Sequence, residues 1–181
     1  MGETIKARLL DARELERALR RMAQEIIEPV REPEALALIG LQRRGVFLAR
    51  RLADWIAKDE GLAIPVGALD ATLYRDDLRL RPSSPIRPTE LPFSVEGRSV
   101  VLVDDVLYTG RTARAAMDAL LDYGRPAQIR LAVLIDRGGR ELPICPDYVG
   151  RQVPTTARER VRVALQEIDA EDAVYLLEIA T

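Results

Sequence analysis

The sequence predicts an α/β fold with a largely parallel sheet covered by helices on both faces. Strands alternate with helices along the chain, and each strand reads as a continuous apolar run, the pattern of strands buried on both sides. The 181 residues, 48% hydrophobic and 31% charged, have the size and balance of one domain spanning residues 1–181.

The elements follow in order. Asp11 with Glu14 three residues later makes a capping box, Leu15, Leu19, Met22 and Ile26 follow at helical spacing, and Pro29 ends the helix. Residues 35–41 (ALALIGL) are a short buried strand, QRRG a turn, and residues 46–59 a helix with apolar members recurring at three and four residues. Residues 64–74 (IPVGALDATLY) read as a second strand. The strand–loop–helix pattern then repeats in SVVLVD and TARAAMDALLDYG, with Gly124 as the helix stop, and QIRLAVLID is another buried strand. In the tail, VRVAL and AVYLLEI are two further strands. Between residues 75 and 92 the periodicity lapses. This proline-rich, arginine-rich stretch of about 18 residues exceeds the usual limit for a structureless connection and reads as a functional lid or a mobile loop.

Composition removes many activities. With no histidine in the chain, a Ser-His-Asp triad, a Cys-His pair and a His-ligated zinc site are excluded. Proton transfer falls to carboxylates, lysine, tyrosine or water, and any metal is expected to be a hard, oxygen-ligated ion such as Mg2+. The single cysteine, Cys145, permits no intramolecular disulfide. No apolar run is long enough to span a membrane and no signal peptide is recognisable at the amino end, so a cytoplasmic location with no membrane partner is expected. A net charge of -2 argues against wholesale attraction to nucleic acid, although it does not exclude a local basic patch.

The most informative stretch is VVLVDDVLYTGRT, residues 100–112. Its turn, Tyr108, Thr109, Gly110, Arg111 and Thr112, enters a helix whose first amides point outward with the positive end of the dipole behind them. Two threonine hydroxyls, a glycine and an arginine make this a plausible anion cradle, the alternative being an ordinary strand-to-helix turn with threonine as the cap. Asp104 and Asp105 would repel a phosphate in contact with them, but carboxylates bind hydroxyls well. A sugar phosphate fits both halves, with its phosphate in the turn and its diol on the aspartates. Known nucleotide loops do not fit, since there is no G-x-G-x-x-G, and GLQRRGVF has Val46 and Phe47 where a Walker loop needs lysine and serine or threonine.

The same stretch resembles the phosphoribosyl pyrophosphate (PRPP) signature of the type I phosphoribosyltransferases. Together with GLQRRG, LDATLYRDDL, DALLDYGRP, LIDRGGRELP and PDYVGRQVPT, it makes the chain similar, from Asp11 to Glu178, to the pyrimidine operon attenuation proteins of the PyrR family. These bind leader RNA in response to uridine nucleotides and often retain uracil phosphoribosyltransferase activity. The resemblance implies a mostly parallel five-stranded core sheet flanked by helices, with a small hood. It places the ribose hydroxyls on Asp104 and Asp105, and the 5′-phosphate in the turn that runs from Val106 and Leu107 through Tyr108 to Thr112. Pyrophosphate falls to Arg43 and Arg44 beside Mg2+ carried by PRPP, with a cis peptide between Gln42 and Arg43. Uracil falls to Arg137, Tyr148 and Val149, and the start of the lid to Tyr74, Arg75, Asp76 and Asp77. The partners it implies are PRPP, uracil, UMP and UTP, and the leader mRNA of pyrimidine genes, and it implies a homodimer or homotetramer.

Arg13, Arg17, Arg20 and Arg21 fall on one stripe of the first helix, opposite its apolar face. The stripe is either a grip for RNA phosphates or a solvated face, and the resemblance favours RNA. Arg140 and Arg151 lie in segments matching the family's RNA-binding region. The chain has Gln24 and Gly139 where the family often has histidine, and Cys145 where it often has arginine. A pyrimidine-salvage enzyme without RNA regulation is therefore the alternative.

Overall fold

The computed structural model describes residues 2–76 and 86–179. In chain order the elements are β1 (Glu3–Leu10), α1 (Ala12–Ile27), β2 (Leu36–Leu41), α2 (Arg44–Glu60), β3 (Val66–Leu69), β4 (Ser99–Leu107), α3 (Arg111–Leu121), β5 (Gln128–Asp136), β6 (Tyr148–Gln152), β7 (Glu159–Ala164), α4 (Gln166–Asp169) and β8 (Ala173–Ile179). Single 3-10 turns occupy Pro33–Ala35 and Thr72–Tyr74.

Five strands form a sheet in the order β3-β2-β4-β5-β6, parallel throughout. Its strands are continuous apolar runs because both faces are covered. On one face α1 and α2 bury Leu15, Leu19, Met22, Leu48 and Leu52 against Leu36, Leu38, Val101, Val103 and Leu134, and on the other α3 sets Ala115, Ala116 and Leu120 against Ile39, Leu41, Val100, Leu102 and Val133. Alternate residues of each strand thus serve different layers, as the two-residue period of a strand requires. The capping box of α1 is present in both directions, Asp11 Oδ1 accepting the Glu14 amide at 2.8 Å and Glu14 Oε2 accepting the Asp11 amide at 2.9 Å.

A second, antiparallel sheet, β1-β8-β7, makes the hood. It joins the first core through Val161, Val163 and Val174, and β1 is tied to β7 by Lys6 Nζ donating to Glu159 Oε1 at 2.6 Å. That ion pair and the Thr156 amide hold the Glu159 carboxyl down to about 2. The sequence reading contains neither β1 nor β6. β1 is exposed over most of its length and has no buried apolar run to announce it, whereas β6 interrupts its run with Gly150 and Arg151 because it is the edge strand. The second predicted strand is shorter than expected and stops at Leu69. There Asp70 bends the chain, its Oδ1 accepting the Thr72 amide at 2.7 Å. Residues 77–85, half of the expected lid over residues 75–92, fall outside the described residues. Of its far side, Glu90 forms a bridge to Ala68.

Candidate active site

Ligands of parallel sheets sit beyond the carboxyl ends of the strands, and here β4 outruns its neighbour. β2 pairs with β4 as far as Val103, whereas β4 continues through Asp104 and Asp105 to Leu107 along β5. The two aspartates therefore project past the end of β2, beside the loop that follows it. α2 closes on the same spot: a Cβ on Gly45 would lie 2.2 Å from the Val103 carbonyl oxygen. Asp104 Oδ1 accepts the Asp105 amide and Asp105 Oδ1 the Val106 amide, both at 2.9 Å. Burial first, and then the charge of Asp105, raise the Asp104 carboxyl well above its ordinary value.

Beyond Leu107 the chain turns at Tyr108, Thr109 and Gly110 and enters α3. Gly110 is the cap residue, at φ 92 and with no side-chain cap, so the capping threonine of the alternative reading is not found. Thr109 Oγ1 instead accepts the Arg111 amide at 3.4 Å, and the next amides of α3 are left without an intrahelical partner, as at any helix start. The described start of the lid leans on this turn: Arg75 donates to Thr112 Oγ1, Arg111 pairs with Asp76 and with Glu141, and the Tyr74 hydroxyl donates to Asp122. Asp77 lies outside the described residues.

In the loop after β2 the Gln42–Arg43 peptide is cis. Arg43 caps α2, and Gln42 Nε2 donates to the Pro88 carbonyl at 3.2 Å. Arg44, expected on pyrophosphate, is drawn elsewhere, its Nη2 donating to both oxygens of Asp169 in α4 at 3.0 Å.

The residues expected on the base do not converge. Tyr148 is the first residue of β6, level with Ala132, whereas the carboxyl edge lies at Gln152 and Asp136. It is buried in the core, and its hydroxyl accepts from Arg130 Nη1 at 2.6 Å. Val149 pairs with Val133 inside the sheet, and its carbonyl accepts from Arg21 Nη2 at 3.1 Å. A parallel strand runs toward the active edge, so its first residues are its most distant. Arg137 does stand at that edge, but it is buried and burial lowers its pKa.

The RNA-binding set is also split. Arg17 is exposed on α1. Arg20 forks onto Asp59 at 2.8 and 3.0 Å and stacks 5.0 Å from the Trp55 ring, while Arg21 reaches the Gly150 carbonyl at 2.6 Å and Glu25 at 2.7 Å. Arg151, the residue after Gly150, is exposed and donates to the Leu9 carbonyl. Arg140 turns inward, onto the carbonyls of Ile144, Tyr108 and Gly138 and the carboxylate of Asp136. Two left-handed glycines, Gly138 and Gly139, reverse the chain there, and Arg140 satisfies carbonyls in and around that turn.

Sequence reasoning missed Asp70, which accepts the amides of Thr72 and Arg87 and so ties these two positions together. Its Asp-x-Thr pattern, which favours a local turn, was the available signal. It also missed Asp169, whose interest depends on a contact 125 residues away in sequence. The site's donor set, two carboxylates without nitrogen or sulfur ligands, fits a hard ion such as Mg2+. Among the described residues no group of three or more His, Cys, Asp or Glu side chains is placed to hold a metal by itself, and no helix is long and apolar enough to cross a membrane.

Comparison with known proteins places this geometry. Residues 6–167 match the phosphoribosyl transferase domain. The chain is 59% identical over 176 residues to the bifunctional protein PyrR of Pelotomaculum thermopropionicum, covering 97% of each, and 56% identical to that of Thermus aquaticus, covering 96% of each. Among solved structures, a hypoxanthine-guanine phosphoribosyltransferase of Bacillus anthracis superposes with a TM-score of 0.72 at 17% identity, over 97% of this chain and 99% of that one. The enzyme of Leishmania tarentolae does so with 0.68 at 22%, over 100% and 99%. These two show the shared fold. With a five-stranded parallel sheet of this order, a matching domain over residues 6–167 and relatives this similar over nearly its full length, the chain belongs to the PyrR family of phosphoribosyltransferases.

Proposed function

We propose that this protein transfers the phosphoribosyl group of PRPP to uracil, giving UMP and pyrophosphate, and that it binds the leader RNA of pyrimidine genes in response to uridine nucleotides. The observation that carries the catalytic half is the pair Asp104 and Asp105 standing past the end of β2 with the Tyr108–Thr112 turn directly after them. A ribose diol meets the carboxylates while the 5′-phosphate occupies the helix start, where open amides and the Thr109 and Thr112 hydroxyls surround it.

In the reaction a uracil ring nitrogen forms a bond to the anomeric carbon as the bond from that carbon to pyrophosphate breaks, and the ring nitrogen gives up its proton. Positive charge builds on the ribose ring, which the two carboxylates beneath it favour. Asp104 and Asp105 would be the carboxylates nearest a magnesium ion carried by PRPP, and such an ion would offset charge on the leaving pyrophosphate. Arg43 and the Gln42–Arg43 backbone lie on the leaving-group side. The base is placed at the carboxyl edge of β6, where Gln152 pairs with Asp136 and the Val153 amide donates to the Asp136 carbonyl. The RNA half rests on Arg17, Arg21 and Arg151, which α1 and β6 bring to one side of the molecule. Self-association is part of this reading.

The test is to measure UMP formation from uracil and PRPP, and retention of a pyrimidine leader RNA with and without UMP, on one preparation. Both are expected. UMP formation without RNA retention would leave a salvage enzyme, and RNA retention without UMP formation a sensor.

A further inference from the structure

Among the described residues Arg137 and Glu159 are the buried charged residues, and the Arg137 guanidinium reaches the backbone of Glu159. Arg137 Nη2 donates to the Glu159 carbonyl at 2.7 Å and the Thr156 carbonyl at 3.3 Å, and its Nε donates to Thr155 Oγ1 at 2.8 Å. These partners belong to β7 and the segment leading into it. The flat face of the same guanidinium lies 3.9 Å from the centre of the Tyr108 ring, and Tyr108 opens the turn before α3. A cation is attracted by an aromatic face, and more strongly once water is removed from it.

The ring, itself exposed at 36%, is approached from a second direction. A Cβ placed on Gly139 would lie 2.4 Å from Tyr108 Cε2 and 3.0 Å from Cδ2, and Gly139 has φ 70. The backbone of the turn is held from the same loop, the Tyr108 carbonyl accepting from Arg140 and the Thr109 carbonyl from the amides of Glu141 and Leu142, each at 3.0 Å.

We propose that Arg137 is a positioning residue for phosphoribosyl transfer. Through the face of Tyr108 it fixes the phosphate turn and couples it to β7 of the hood. The proposal rests on the reading that the turn holds the 5′-phosphate. It differs from a base contact in what it predicts: the affected substrate is PRPP and not uracil.

Arg137→Met and Tyr108→Leu should each raise KM for PRPP about tenfold while leaving KM for uracil within about twofold, and the double variant should be little worse than either, as for two partners of one contact. Arg137→Lys keeps a cation near the ring and should recover part of the loss. Tyr108→Phe keeps the ring face and should leave KM for PRPP within about twofold. Tyr108→Leu, Tyr108→Phe and Arg137→Lys carry the test if Arg137→Met fails to fold. A rise in KM for uracil alone on Arg137→Met would make Arg137 a base ligand and overturn the proposal, as would effects of Arg137→Met and Tyr108→Leu that multiply. Thr112→Val separates the two layers: an unchanged KM for PRPP in that variant would remove the phosphate reading itself.

Discussion

Asp104 is a carboxyl group whose charge the folded chain disfavours. Its carboxyl is raised in the folded protein by burial and by Asp105. Below about pH 4, the ordinary value of an aspartate, folded and unfolded chains both hold the proton and nothing is lost. Above it the unfolded chain gives up the proton first, so stability falls as pH rises until Asp104 itself ionises. Asp104→Asn keeps an acceptor for the Asp105 amide and removes the charge. Its thermal midpoint at pH 7 should exceed the wild type's by about 3 °C, which corresponds to roughly 1 kcal/mol in a chain of this size, and the gain should vanish toward pH 4. Asp104→Asn combined with Asp105→Asn should lower UMP synthesis at least about 100-fold, the scale of removing a charge aimed at the transition state. Wild-type turnover in the double variant would remove the diol assignment.

At the scale of elements, the site depends on how closely α2 approaches β4. A Cβ on Gly40 would lie 2.3 Å from the Val46 Cα, and one on Gly45 2.2 Å from the Val103 carbonyl oxygen, so both contacts are backbone against backbone and neither can yield by a rotamer change. Gly45→Ala should cost about 3 kcal/mol, the upper range for overpacking, read as a drop in the urea midpoint at unchanged slope. The carboxyl end of the chain braces the same helix. Arg51 pairs with Glu167 at 2.6 Å and Asp172 at 2.8 Å, and Arg44 with Asp169. Asp169→Ala should leave Arg44 without its carboxylate and raise KM for PRPP a few-fold, with little change in KM for uracil, in steady-state kinetics. Equal rises for both substrates would mean that α4 supports the hood rather than the pyrophosphate loop.

For the whole molecule, the question is whether RNA binding and catalysis occupy separable surfaces. The active edge lies at the carboxyl ends of the five strands, while the arginines of α1 lie on its outer side, opposite Leu15, Leu19 and Met22. The arginine stripe is not uniform, however. Arg20→Glu would set a carboxylate against Asp59 and is expected to lower the thermal midpoint, whereas Arg17→Glu disturbs no buried partner. Arg17→Glu should therefore weaken leader-RNA binding several-fold, with a smaller dependence of affinity on salt because one phosphate contact is gone, and leave UMP synthesis at the wild-type rate. Unchanged RNA affinity in filter binding would make the stripe a solvated face.

Much of the fold was legible because its signals are local. The capping box of α1, the helical spacing of Leu15, Leu19, Met22 and Ile26, and the apolar runs of β2, β4 and β5 each record burial within a few residues of sequence, and the structure has all of them. The candidate site was legible where one short stretch contains it, as in residues 100–112, since a strand, two carboxylates and a helix start need no distant partner to be recognised. Partner choice was not legible. Whether Arg44 meets pyrophosphate or Asp169, whether Arg140 faces RNA or its own loop, and whether Tyr148 stacks on a base or fills the core under Arg130 depend on atoms brought together from far along the chain. An arginine or tyrosine carries the same letter in each role. Sequence determined the sheet, its helices and the turn between β4 and α3, because hydrophobic period and backbone geometry are properties of neighbours. Only the tertiary structure decided which side chains remain open at the active edge, because a buried donor goes to whichever acceptor the fold places within hydrogen-bonding reach.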